Sequence, residues 1–581
     1  MNKHARISAS IPAAAALLLS GLAFDATAAR VAGAVADSAG KPIAGAIVSL
    51  TDAKGRAESV YSDAAGMFAL DAGLKGTLTL RIRKRYHEDY TAKIAASANG
   101  KPMAVKLADI TDPKRLSDEA PSLSHFSRIA FDKDENGIFS RPNFARACLS
   151  CHSLGNASTR WPRPPEGWMP TVQRMHGYVG NGDQEQMKQR AALLAQAFDG
   201  TPVTSRPVVT YDSAISKSKV YQWRLDKGVM PHDAEVSHVN GKVYMSDFMA
   251  GALTEFDLKS GRATMFPEPA DGSPPGGYFT KIGVPPPYGL MLSHTPHSLA
   301  EGKDGKFYST DSIGCTLTEF DPVTKKFKHY DVGSGALYPH TIRVDAKGVV
   351  WFTVIFSNQV GRFDPATQSM KVIQLPATPA GKPMLNMPSP YGIDINPKDG
   401  SVWYAQLGID KIGRIDPLTL EVKEFDSPVR GPRRQRFDAA GKLWVAGFSE
   451  GAIARIDVDS WQSKVYMLPR YVADEVPAPY ALGVHPQTQE IWVNDSMMDL
   501  VWRFIPAEEK FVAYPLPLKG TYTRDFSFTK EGWACTSNNP VPIAVALEGG
   551  VPELICIDAN GALPKAAPQT AAAAGKGQGK G

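Results

Sequence analysis

With 581 residues, the chain is too long for one hydrophobic core and implies three or four domains. Its 64 Lys+Arg against 59 Asp+Glu leave a formal charge of +5, so neither a nucleic-acid partner nor an acidic membrane surface is indicated. Beyond the N-terminus no stretch reaches the roughly 18 apolar residues of a membrane-spanning helix, so no transmembrane segment is expected.

Lys3, His4 and Arg6 precede an apolar run from Ile11 to Leu22 and the small residues Ala26-Thr27-Ala28-Ala29. That is the layout of a secretory signal peptide over residues 1–29, and it predicts a periplasmic or secreted protein. Residues 30–108 alternate short apolar runs with Gly- and Pro-centred turns, which argues a small antiparallel β-sandwich. The Gly40-Lys41-Pro42-Ile43-Ala44-Gly45-Ala46-Ile47-Val48 and Ser62-Asp63-Ala64-Ala65-Gly66-Met67-Phe68 runs resemble the carboxypeptidase regulatory-like domain. That resemblance implies an accessory module.

A polar linker is expected over residues 109–139. Within it, Asp132-Lys133-Asp134-Glu135-Asn136-Gly137 imitates a calcium loop, but the twelfth position is Asn143, not the required bidentate glutamate. The motif reads as a turn. Residues 140–204 centre on Cys148-Leu149-Ser150-Cys151-His152, the C-x-x-C-H pattern for covalent attachment of c-type haem. Two thiols three residues apart can each add to a porphyrin vinyl group, and His152 can bring a nitrogen to the iron.

Short helices are expected at Phe144 to Cys151, from Pro170 through Val172, Met175 and Tyr178, and from Gln184 to Phe198. The Glu166-Gly167-Trp168 and Arg174-Met175 runs are similar to the small cytochrome modules of some quinohaemoprotein amine dehydrogenases. On that resemblance Met175 is the sixth ligand, with Met169 and His176 as alternatives. One covalent haem, held by Cys148, Cys151, His152 and Met175, is therefore expected, with His152 and Met175 on the metal.

Residues 205–560 repeat. Openings fall at Pro231-His232, Pro296-His297, Pro339-His340, Pro390-Tyr391, Pro432-Arg433, Pro479-Tyr480 and Thr523-Arg524. Each is followed by a strand with an aromatic, such as Trp351-Phe352 or Trp403-Tyr404, and six of the seven by a third strand such as Arg414-Ile415-Asp416-Pro417. Seven registers of four strands make a seven-bladed β-propeller, and Lys219–Leu225 reads as an outer strand that closes blade seven. The fold class is thus mainly β: a sandwich, a small α-helical cytochrome c domain and a propeller, followed by a disordered tail from 561 to 581.

Pro390-Tyr391-Gly392-Ile393, Trp403 and Gly413-Arg414-Ile415-Asp416-Pro417 resemble the virginiamycin B lyase propellers. The resemblance implies a metal-assisted elimination using a histidine and a glutamate. Glu235 is the nearest candidate for that glutamate.

Inner strands line a propeller's channel. The second residue of each opening therefore faces the mouth: His232, His297, His340, Tyr391, Arg433, Tyr480 and Arg524, with Asp233 and His294 alongside. Such a set suits an anionic or metal-bound ligand, a divalent metal included. His238, His329 and His485 read as surface residues. An insert from Glu268 to Ser293 would form a lid or docking site beside the mouth.

Cys535 and Cys556 could pair in an oxidising compartment or remain thiols, and Cys315 has no evident partner. The expected activity is that of a haem-c oxidoreductase passing electrons to a soluble partner. A lyase propeller with a fused cytochrome, and a non-enzymatic electron-transfer subunit, are the alternatives.

Overall fold

The computed structural model describes residues 29–95, 101–178, 181–225, 230–376, 389–540 and 551–561. The expected signal peptide, apart from Ala29, and the expected disordered tail, apart from Gly561, lie outside the described residues.

The N-terminal unit is a sandwich of two sheets. Its core is the inward set Val35, Leu50, Leu70, Leu80 and Ile82, each 1 % exposed or less. Period-two burial along Thr77–Arg83 is the expected signature of a strand with one face in the core. The smaller sheet is mixed rather than antiparallel: Ala29–Asp37 pairs antiparallel with Met67–Ala72 and parallel with Met103–Leu107.

The second half is a seven-bladed propeller. Six blades are four-stranded sheets in simple sequence order. The seventh takes three strands from the C-terminal end and its outermost strand, Lys219–Arg224, from before blade one. That strand ties the ends of the ring together, as its sequence pattern predicts. Its other edge pairs with Arg56–Tyr61, so blade seven continues into the sandwich as one eight-stranded sheet. An exposed edge is thereby covered rather than left to pair with another chain.

The repeat residues have identifiable structural work. Trp351, Trp403, Trp444 and Trp492 are buried between blades. A Cβ on Gly361 would sit 2.1 Å from the Phe352 ring, and one on Gly413 1.9 Å from the Tyr404 ring, so only glycine lets those rings lie flat on the neighbouring strand. The repeated aspartates close turns: Asp257, Asp321, Asp416 and Asp457 each accept from the amides two and three residues on.

Five helices connect sandwich and propeller: α1 (Pro113–Glu119), α2 (Ser122–Phe126), α3 (Arg141–Cys148), α4 (Pro165–Tyr178) and α5 (Gln184–Ala197). The stretch expected to be a linker carries α1 and α2, and Leu123 and Phe126 on α2 are fully buried. Helix α4 begins at Pro165, so Pro170 lies inside it rather than at its start. Helices α2 to α5 share one apolar cluster with propeller residues including Ile313, Tyr338, Trp444 and Trp502, while Leu116 on α1 packs with Tyr86 and Ile110. They pack as a cap on the propeller, not as a detached module.

Candidate functional site

The inner strands carry a register shift just after their opening residues, between Pro339 and Ile342, Pro390 and Ile393, Pro432 and Gln435, Pro479 and Leu482, and Thr523 and Phe526. A bulge re-aims side chains, and here it falls on the residues expected at the mouth. Four of those residues are also gripped through their carbonyls by the preceding blade. Ser537 donates to His232 O at 2.6 Å, Ser246 to His297 O at 2.7 Å, Thr310 to His340 O, and Thr353 to Tyr391 O at 2.9 Å.

All seven expected mouth residues are buried and all seven meet. The His232 and His297 rings are 3.7 Å apart, His297 and His340 4.0 Å, and His340 and Tyr391 4.1 Å between centroids. Tyr391 and Tyr480 hydroxyls lie 3.2 Å apart, and Arg524 Nη1 donates to Tyr480 Oη at 2.9 Å. Arg433 donates to Tyr391 Oη and lies 3.9 Å over the Tyr480 ring.

Beneath this ring Arg434 donates to Asp233 and Asp525, both buried, at 2.7–3.1 Å. The two carboxylates balance Arg434. In contrast, among the described residues Arg433 and Arg524 hydrogen-bond to phenols, Asn539 and main-chain carbonyls, and to no carboxylate.

Burial governs the titration of these groups. It lowers His232 to about 4 and holds His297 and His340 well below the ordinary imidazole value, each helped by neighbouring cations or imidazoles. All three are neutral at pH 7. Burial pushes the Tyr480 phenol up, but Arg524, Arg433 and Arg434 outweigh it and bring it to about 8. Burial raises Glu235 to about 8, close to Asp525, Glu301 and Asp233.

The C-x-x-C-H segment sits directly on this mouth. Tyr522 Oη donates to Leu149 O at 2.6 Å, Arg433 Nη2 to Ser150 O at 2.6 Å, and Arg524 Nη2 to Cys151 O at 3.0 Å. Two arginines on α3 fix the helix that leads into it. Arg141 bonds Glu475 at 3.0 Å and the carbonyls of Ser449 and Val476 at 2.8 and 2.6 Å. Arg146 bonds Ser449 Oγ at 3.0 Å and pairs with Asp410.

Neither Cys148 nor Cys151 is in a disulfide, and both are half-buried. Burial raises the Cys148 thiol, which Arg190 opposes. His152 presents Nδ1 to Ser153 O at 2.9 Å, and burial keeps its imidazole below its ordinary value. Met169 and Met175 are half-buried. His176 is buried and its Nε2 is engaged by Arg190 Nη1 at 2.6 Å.

Sequence reasoning missed Tyr522 and Arg434, which differ from the repeat's opening position by one residue. It also misplaced His329. That residue is stacked on His294 at 4.0 Å rather than sitting at the surface. Among the described residues, the one group of metal-ligand side chains that converges is Glu268, His294 and His329, not the three mouth histidines.

The site is therefore a buried cationic and aromatic propeller mouth roofed by a C-x-x-C-H loop. Residues 290–533 match the Virginiamycin B lyase family, and residues 30–108 match the Carboxypeptidase regulatory-like domain. Neither match covers the helical cap. No curated protein matches the chain. Among solved structures, a selenomethionine form of virginiamycin B lyase from Staphylococcus aureus aligns at 18 % identity and TM-score 0.46, covering 58 % of this chain and 99 % of that one. A streptogramin B lyase aligns at 17 % identity and TM-score 0.46, covering 59 % and 98 %.

Proposed function

We propose that the chain is an exported c-type haem protein, in which a lyase-like propeller clamps the haem-bearing loop for electron transfer to a soluble partner. The observation that carries this reading is the use of the mouth: Tyr522, Arg433 and Arg524 spend donors on the carbonyls of residues 149, 150 and 151. A mouth filled by its own chain is a poor entrance for a bulky substrate.

The residues present fit the group. Cys148 and Cys151, neither of them in a disulfide, would form the thioether bonds, and neutral His152, its ring oriented through Nδ1, would offer Nε2 to iron. Met175 or Met169 on α4 would supply the sixth ligand. The guanidinium atoms Arg190 Nε, Arg433 Nε and Arg433 Nη1 are buried without a hydrogen-bond partner, which suits the carboxylates of a porphyrin edge. A haem held there would supply one-electron chemistry. The chain's own contribution is to exclude water, fix the loop and set a positive local field.

Export with haem-maturation factors, followed by a pyridine haemochrome assay, tests the reading. One covalent haem per chain is expected, lost in Cys148→Ser and Cys151→Ser. A chain that matures without haem would overturn it.

The second reading is a lyase, favoured by the match of residues 290–533 and by Tyr480. A phenol brought to about 8 between arginines is a competent general base for elimination. It requires the cap to move, and Tyr480→Phe abolishing an elimination activity would support it.

A further inference from the structure

A second polar cluster lies where blades one and two meet, and the mouth makes no use of it. Glu268 directly follows the last strand of blade one, Arg262–Pro267. His294 precedes the first strand of blade two, Pro296–Glu301, and His329 lies on its last strand, Lys326–Asp331. Asp271 comes from the insert that the sequence marks as an addition to the repeat. The two imidazoles are stacked 4.0 Å apart and 6° from parallel.

This arrangement leaves polar capacity unused. The Glu268 side chain has no exposed surface, its Oε1 has no partner, and its Oε2 lies 3.5 Å from His329 Nε2. His329 Nε2 likewise makes no hydrogen bond. A buried, unsatisfied carboxylate oxygen beside an unsatisfied imidazole nitrogen is costly unless a further group joins them.

The surroundings are built to orient ligands. Asp311, fully buried, holds His294 Nδ1, accepts from Thr295 N at 2.7 Å and Gly314 N at 2.9 Å, and receives Thr316 Oγ1 at 3.0 Å. That turns His294 Nε2 toward Asp271 Oδ1, 3.1 Å away, while Asp271 Oδ2 is 2.7 Å from His329 Nδ1. A Cβ at Gly314 would lie 1.8 Å from Asp311 Oδ2 and 2.9 Å from His294 Nδ1, so this position must stay bare for the pair to form.

Ligand atoms of Glu268, His294 and His329 all lie within 4.8 Å of one another. We propose that these three side chains bind a divalent transition-metal ion of the zinc class, with Asp271 as fourth ligand and Asp311 as the positioning carboxylate behind His294. Two imidazoles with one or two carboxylates are the donor set of zinc and ferrous sites, whereas calcium and magnesium prefer oxygen alone. A carboxylate behind a ligating histidine fixes its tautomer and direction. Because Glu268 and Asp271 flank the insert's first residues, the ion would staple the insert to the blade-one/blade-two seam. The inference is independent of how the mouth is used.

The test is zinc binding by the full-length, chelator-stripped protein at pH 7.5, read by calorimetry and by elemental analysis after dialysis. One equivalent of Zn²⁺ is expected, with nitrogen/oxygen ligation at the zinc X-ray absorption edge. Glu268→Gln and His329→Ala should each weaken binding by about tenfold or more. Asp271→Asn, whose carboxylate is 41 % exposed and whose fold should be unaffected, should weaken it by about tenfold. Exposed His238→Gln should leave it unchanged. Absence of stoichiometric zinc, zinc binding as tight as the parent's in Asp271→Asn and His329→Ala, or loss of zinc in His297→Gln but not in His329→Ala would overturn the proposal.

Discussion

Arg524 reaches the Cys151 carbonyl at 3.0 Å across 373 residues of sequence, and with its other amino group holds the Tyr480 hydroxyl at 2.9 Å. One guanidinium thus couples the last blade, the sixth blade and the C-x-x-C-H loop. Its planar fork is what permits simultaneous bonds in different directions, and lysine would not replace it.

Arg524→Ala should therefore act on the loop before it acts on the propeller. It removes the donors that Arg524 gives to Cys151 O, Tyr480 Oη and Asn539 Oδ1, at about 1–3 kcal/mol per buried group left unsatisfied. Urea unfolding should show a loss of about 2–4 kcal/mol. Limited proteolysis should cleave between residues 149 and 160 faster than in the parent protein. An unchanged cleavage rate would mean that α3, through Arg141 and Arg146, holds the loop unaided.

The repeat glycines provide a sharper packing test. Gly413→Ala places a Cβ 1.9 Å from the Tyr404 ring, whose hydroxyl donates to Glu424 Oε1 at 2.7 Å. The ring cannot retreat without losing that bond, so about 2–4 kcal/mol of destabilisation is expected in thermal or chemical unfolding. An exposed strand position such as Val465, 38 % exposed, should tolerate alanine within about 0.5 kcal/mol.

These cases show which parts of the molecule sequence alone reveals. The propeller was legible because every blade repeats the same burial problem: an aromatic on the second strand, usually an arginine and an apolar residue on the third, and an aspartate in the turn. The seven mouth residues followed from the same register. The helical cap was legible only as a motif, since its packing depends on contacts such as Arg146 with Asp410 that no local pattern announces. Asp132 to Gly137 is a turn as its missing glutamate implied: the Asn143 side chain donates to Asn136 O and Gly137 O. His329 read as a surface residue because the outer strand of a blade normally faces solvent. The insert that carries Asp271 changes that, and an insert is invisible to repeat logic.

The mouth histidines make stability depend on acid. Their folded values lie below the ordinary 6.5, at about 4 for His232 and well below for His297 and His340. Under acid the unfolded chain binds protons that the folded chain refuses. This contribution is fully present above pH 6.5 and is lost as pH falls toward the folded values. Each such imidazole adds about 1.4 kcal/mol per pH unit to the slope in that window. His297→Gln should make the acid limb of a urea-midpoint profile between pH 6.5 and 5 shallower by about one proton. A parallel profile would show that the histidines take up protons before the chain unfolds.

The last prediction concerns ring closure. Cys535 and Cys556 form a disulfide between paired residues of adjacent strands in blade seven, which settles the open choice between bridge and thiols. Cys556 is in turn register-paired with Tyr221 on the closing strand, and Tyr221 stacks on Trp533 at 4.4 Å. The bridge encloses a sequence separation of 21 residues, for which chain entropy gives about 3 kcal/mol. Replacing both cysteines by alanine should lower stability by about 2–4 kcal/mol. It should also raise hydrogen exchange in Lys219–Arg224 and Glu553–Asp558 ahead of the other blades, because opening that seam separates the ends of the ring. Exchange rising uniformly over all seven blades would instead place the bridge's effect on the unfolded chain alone.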